Sequence, residues 1–183
     1  MILIITLIIL IIIIYLRYYT KTSSNSEIIQ TNLYNLNYNI LQERSPIVID
    51  DKIVQVNDLI DKSFKHLYSK KYINLLFDQN VKLNLAKFAI FHNNSDNVID
   101  VEIANPMFSN NLNYSNSPFN NNFLTSSDTD LDNIQSIKIL LKPYYVLILP
   151  YKWLFKCSSS CDNYFLFDIM NLLIANWKNK IKG

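Results

Sequence analysis

The sequence predicts a mainly β fold, a barrel or sandwich with a few short helices, preceded by a single transmembrane helix. Three observations carry that prediction. Ile2 to Leu16 is an apolar run whose only polar side chain is Thr6. From Pro46 to Met170 the chain breaks into short β-branched and aromatic runs separated by Asn, Asp, Ser and Pro, as many short strands would require. The 183 residues include one Gly, the last. Loops that cradle phosphate need close backbone approach at glycine, so P-loop and dinucleotide-binding classes are excluded. Asn is then expected to supply any left-handed turn residues.

The chain divides into an anchor at 1–19, a polar linker at 20–37 and a β domain at 38–183, with a loop insertion at 105–133. As a helix rising ~1.5 Å per residue, the apolar run spans roughly 22 Å. Arg17, Tyr18 and Tyr19 follow it as snorkelling and belt residues would. The partner this implies is a lipid bilayer through residues 2–19, and the localisation is a single-pass membrane protein. A cleaved signal peptide is the competing reading. It wants a basic stretch before the apolar run, which is missing, and Thr22 and Ser24 make a poor cleavage site. Arg17 and Lys21 put the β domain on the cytoplasmic side or its equivalent. Two sequons, at Asn93 and Asn113, point the other way, but a chain this rich in Asn generates them by composition. Heavy use of Ile, Asn, Lys and Tyr is that of an AT-rich genome, such as many large DNA viruses or some protist parasites have, and describes the genome rather than the activity. A virion or an internal host membrane is one expected site. Net charge is +2 with no basic stripe, so no nucleic-acid partner is expected.

Within the domain, a short helical turn is expected through Leu41-Gln42-Glu43 and a strand over Pro46-Ile47-Val48-Ile49. Residues 57–68 predict a helix with Asn57 as N-cap and Ile60, Phe64, Leu67 and Tyr68 on one face. His66 reads as an ordinary residue of that helix. Strands follow at Ile73 to Phe77 and Val81 to Phe91, the latter with a slip in phase at Ala86-Lys87 that suggests a bulge. Ile99, Val101 and Ile103 alternate with acids, a half-buried strand. Ile137 to Leu141, Tyr144 to Leu149, Trp153 to Cys157 and Tyr164 to Met170 complete the strands. Residues 171–182 read as a short amphipathic helix.

Leu140 to Phe155 reads LLKPYYVLILPYKWLF. It resembles the closing segment of the cupin-like, JmjC-related family, of the kind L-x-P-G-D-x-L-x-I-P-x-x-W-x-H. Leu141, Pro143, Leu147, Pro150 and Trp153 fall in fitting places. Arg44 to Ile49 is similar to that family's entry strand. The resemblance implies a cupin-like β domain; active members hold Fe(II) with two His and one carboxylate. Here the last His position is Phe155, the family's Gly-Asp is Tyr144-Tyr145, and the H-x-D/E stretch fits best at His92-Asn93-Asn94. His92 is thus at most a relic of a metal ligand. No catalytic, cofactor-binding or metal residue is assigned, and no cofactor is expected.

The remaining chemistry-bearing residues are weaker signals. Cys157 and Cys161 flank three serines; free thiols, a disulfide across a hairpin and a metal pair all remain open. Asp128, Asp130 and Asp132 lack the Gly and closing Glu of a calcium loop, and Asp50-Asp51 reads as a turn. The function expected is a membrane-anchored, non-catalytic cupin-like domain acting as a structural or protein-interaction module. The alternative is an Fe(II)/2-oxoglutarate-dependent oxygenase with an altered site, His92 joined by Asp96 or Asp100; a secreted β-sandwich binding module is the third. If the would-be site is filled, Leu147, Leu149, Trp153 and Phe155 should point inward, with Phe165 and Phe167 beside them.

Overall fold

A computed structural model describes residues 2–20, 26–64, 69–75, 78–115, 123–126, 131, 134–169 and 171. Its strands form two six-stranded sheets. The first holds β1 (Ile29–Thr31), β2 (Ile47–Ile49), β3 (Ser69–Leu75), β5 (Phe88–His92), β10 (Val146–Pro150) and β12 (Cys161–Phe167), in the order β1-β2-β10-β5-β12-β3. The second holds β4 (Asp78–Asn84), β6 (Ile99–Ala104), β7 (Tyr114–Ser115), β8 (Phe123–Ser126), β9 (Ser136–Leu141) and β11 (Leu154–Cys157), in the order β7-β8-β4-β11-β6-β9. Eight of these strands run antiparallel to their neighbours as β10-β5-β12-β3 facing β4-β11-β6-β9. That order is an eight-stranded jelly roll. The pairs β1-β2 and β7-β8 extend its sheets at opposite edges.

Burial explains the sequence pattern. The first sheet is covered on both faces. Ala89 and Phe91 point into the space between the sheets, whereas Phe88 and Ile90 point at α2 (Tyr38–Gln42) and α3 (Val56–Ser63). Every residue of β5 and β10 is therefore buried, and neither strand alternates. In β6 only Ile99, Val101 and Ile103 need cover on one face, and Asp100 is exposed between them. Each side chain fully buried this way contributes ~1.5–3 kcal/mol of transfer free energy.

The helices start where backbone N–H groups find acceptors. Asn37 caps α2, its side chain accepting from the amides of Asn39 at 3.0 Å and Ile40 at 3.2 Å. α3 opens at Val56 rather than after Asn57, and its cap residue, Gln55, makes no side-chain cap bond. Val56, Leu59 and Ile60 form its buried face, and Phe64, just beyond it, packs on Phe88 with ring centroids 5.2 Å apart. His66, Leu67 and Tyr68 lie outside the described residues.

Several expectations are corrected. Among the described residues no helix is long and apolar enough to cross a membrane. α1 (Ile2–Thr20) does form, but its uncharged stretch of roughly 22 Å falls short of a hydrocarbon core of about 30 Å. Its final turns face the domain instead of an interface: the Tyr15 hydroxyl donates to the Asp168 carboxylate, and Leu16 is half-buried. The transmembrane helix and the single-pass membrane localisation, in a virion or a host membrane, do not stand. Within the stretch read as a polar linker, β1 pairs in parallel with β2, because Ile28 and Ile29 find apolar cover there. Within the insertion lie a 3-10 turn, Pro106–Asn111, capped by Asn105, and the strands β7 and β8. Phe123, Leu124 and Leu131 of that stretch are buried in the inter-sheet core.

The slip at Ala86-Lys87 is not a bulge. β4 ends at Asn84 in one sheet and β5 opens at Phe88 in the other, so residues 85–87 cross between sheets. Asn84 organises the crossing. Its amide donates to the carbonyls of Leu149 at 3.2 Å and Pro150 at 2.9 Å and accepts from Ala86 N–H at 2.9 Å. Among the described residues, left-handed backbone falls on Arg44, Tyr144 and Lys152, with φ of 58°, 64° and 66°, and not on Asn. The tail read as a helix over 171–182 lies outside the described residues except Asn171.

Candidate functional site

Three polar places in the fold carry chemistry-bearing side chains. The first is His92, at the end of β5. It shares the face of Phe88 and Ile90 and points toward the helices, where its Nε2 meets the Ile53 carbonyl at 2.6 Å. A carbonyl only accepts, so Nε2 carries the proton and donates. Burial pushes the His92 pKa below the ordinary 6.5, against smaller upward pulls from the Ile53 bond and from Asp162. Asp162 stands directly across from His92 in the β12-β5 register. It takes hydrogen bonds from the Tyr72 hydroxyl at 2.8 Å and the Asn94 amide at 3.3 Å. The Tyr72 phenol is pushed up in turn, chiefly by that bond to Asp162.

His92 is therefore turned away from Phe155. Phe155 lies between the sheets, fully buried, edge-on to Phe91 at 4.9 Å and to Phe123 at 6.1 Å. Leu147, Leu149, Trp153, Phe155, Phe165 and Phe167 all belong to that one inter-sheet core, as the filled-site expectation requires. The proposed helpers of His92 are engaged elsewhere. Asp96 accepts from the Tyr144 hydroxyl at 3.2 Å, and Asp100 sits on β6 in the other sheet. Among the described residues no group of three or more His, Cys, Asp and Glu side chains could hold a metal ion. Asp50 and Asp51 serve the β1-β2 region, accepting from Gln30 at 3.1 Å and from Leu33 N–H at 2.6 Å. Asp128, Asp130 and Asp132 lie outside the described residues.

The second place is the corner from β11 to β12. Cys157 closes one strand and Cys161 opens the other, in different sheets, with both thiols free, buried and 3.9 Å apart at sulfur. The Asn163 amide stands 3.5 Å from Cys161 Sγ and is held by a 2.7 Å bond to the Cys161 carbonyl. The hydrogen bond between the thiols, with burial, pushes the Cys157 thiol well up; the same bond, then Asn163, pulls Cys161 down. Sequence reading found both cysteines but not Asn163, whose only signal is a polar residue inside an apolar strand.

The third place joins the N-terminal helix to the domain. Asp168 accepts from Tyr15, from Lys87 Nζ at 3.0 Å and from Asn171 N–H at 2.7 Å. The Asn171 amide donates to the Leu85 carbonyl at 2.8 Å. This cluster escaped sequence reading because its members come from three distant segments.

No protein-family model matches this chain, and no curated protein matches it.

Proposed function

We propose that this chain is a non-catalytic, cupin-like jelly-roll domain that serves as a structural or protein-interaction module. The observation that carries this reading is the aromatic interior at Phe155. A working site of the resembled family would need a metal ligand there. Phe91, Phe123, Phe155 and Phe165 fill the space instead, with ring centroids 4.9 to 6.1 Å apart. The jelly-roll strand order supports the cupin-like part. So does Tyr144, which takes a left-handed φ of 64° at the place of the family's Gly. The conformation is kept although the residue is not.

The interaction part rests on α1. Leu3, Ile4, Ile5 and Leu7 to Ile14 are exposed on it. A helix apolar all round belongs in an interior, and patches of this kind mark contact surfaces. The partner that fits is α1 of a second copy. No charge between Ile2 and Leu16 opposes apolar packing of two such helices, and the Tyr15–Asp168 link holds the base of each to its own domain.

Two measurements test the reading. Purified chain given Fe(II) and 2-oxoglutarate should retain no iron; stoichiometric iron, lost in His92→Ala, would establish the oxygenase instead. Full-length chain should sediment as an assembly, and an Ile8→Asp/Ile12→Asp variant as a monomer. Monomeric wild-type chain, or wild-type chain that floats with phosphatidylcholine vesicles as a monomer, would sink the self-association.

A further inference from the structure

We propose that Cys157 and Cys161 are a peroxide-responsive dithiol that closes into a disulfide across the corner joining the two sheets. The argument is geometric. The sulfurs already lie 3.9 Å apart, and a disulfide needs them at about 2.05 Å. The sulfurs must therefore approach by about 1.9 Å, a shift on the scale of side-chain rotation.

The corner is also held in place. Ser158 N–H donates to the Asp100 carbonyl at 3.0 Å, the Ser158 hydroxyl donates to the same carbonyl at 2.9 Å, and Asp100 N–H donates back to that hydroxyl at 3.1 Å. The loop between the cysteines is thus pinned to β6, and the two thiols are kept in register. Cys157 is held from the other side as well, since it pairs with Val101 of β6 and stands across from Asp78 of β4.

The two sulfurs differ in role. Cys161 is the sulfur that meets both the Cys157 sulfur, at 3.9 Å, and the Asn163 side chain, whose nitrogen and oxygen each stand 3.5 Å away, and the Cys157 contact and then Asn163 pull its pKa down against the upward pull of burial. Cys157 remains a thiol, its sulfur held up by that bond and by burial. A thiolate is the nucleophile in such chemistry. Cys161 attacks hydrogen peroxide: an S–O bond forms, the O–O bond breaks, and the departing hydroxide takes a proton to become water. The Cys157 sulfur, losing its proton, then attacks the Cys161 sulfenic acid, the S–O bond breaks, and a second water leaves. Two thiols are oxidised and one peroxide is reduced to two waters. Both residues are largely buried, 7% and 6% exposed, so a small oxidant such as peroxide is the one that suits them. A thiol reductant of small size reverses the bond by exchange.

The test uses the full chain, folded and reduced. Stoichiometric hydrogen peroxide should lower the intact mass by two hydrogen atoms. The number of titratable thiols after denaturation should fall from two to none, and dithiothreitol should restore both. Peptide mapping should place the bond between Cys157 and Cys161, and the oxidised form should melt about 5 °C higher. In Cys157→Ser, peroxide should leave Cys161 as a sulfenic acid trapped by dimedone, whereas Cys161→Ser should give little adduct at Cys157. Native wild-type chain that keeps both thiols under peroxide, or goes to sulfinic acid without a bond, would overturn the proposal. That readout needs no variant to fold. It is independent of iron and of self-association, so its failure leaves the functional reading standing.

Discussion

The two faces of the first sheet solve the same burial problem differently. Between the sheets a run of ring contacts links Phe91 to Phe155, Phe155 to Phe123 and Phe123 to Phe165 within a core that is otherwise mostly aliphatic. On the helical face the cover is mostly aliphatic, from Leu41, Ile53, Val56, Leu59 and Ile60, with Phe64 set against Phe88. Its rim admits polar groups, the His92 bond to Ile53 among them. Aromatic rings fill a gap between two twisted surfaces with few side chains, while a helix laid on a sheet leaves an edge where backbone carbonyls need donors. The inter-sheet face should therefore govern stability, and the rim of the helical face should govern response to pH.

The largest expected effect is between the sheets. Phe155→Ala should cost ~3–5 kcal/mol, read as a lower urea midpoint at unchanged slope. An unchanged midpoint would mean the interior is not packed around Phe155, and the non-catalytic reading would lose its support. Phe155→His should bind no Fe(II), because its neighbours Phe91 and Phe123 offer no ligand; iron bound at one equivalent by calorimetry would reverse that.

On the rim, His92→Ala leaves the Ile53 carbonyl without its donor and should cost ~1–3 kcal/mol. The pH dependence sharpens the contrast. Burial holds the folded pKa of His92 below 6.5. As pH falls the unfolded chain takes up that proton first, so stability is full above about 6.5 and is lost as pH drops toward the lower folded value. His92→Gln should flatten the stability profile between roughly pH 7 and pH 5. A wild-type profile of the same slope as the variant's would show that His92 titrates as it does in the unfolded chain. The smallest effect belongs to the helix junction: Tyr15→Phe should cost ~1 kcal/mol, seen as faster amide exchange in the last turn of α1.

Much of the strand content was legible because runs such as Ile99 to Ile103 alternate, and Tyr144 to Leu149 is apolar throughout. The first pattern reports one covered face and the second reports two. The inward set around Phe155 followed from the same reading. What could not be read was cover supplied from a distance. Ile28-Ile29 looked isolated until β2 stood beside them, and Phe123-Leu124 looked like part of a polar loop until β4 did. The phase slip at Ala86-Lys87 was visible, but a crossing between sheets and a bulge leave the same trace in a single strand. His92 was found, yet its direction was not, since one step along a strand exchanges the face that points at Phe155 for the face that points at Ile53. α1 was legible as a helix, but its reading as a membrane span does not stand. Its link to Asp168 was not legible, because that partner lies far along the chain.

The three left-handed residues, Arg44, Tyr144 and Lys152, have a consequence for how this chain was composed. Left-handed backbone costs a residue with a Cβ roughly 1–2 kcal/mol, and glycine almost nothing. A chain whose only glycine is its last residue meets that cost at three corners among the described residues. Lysine, tyrosine and arginine thus bend where glycine would relax, as torsional load held by α2 and β2 around Arg44 and by the strands that flank Tyr144 and Lys152.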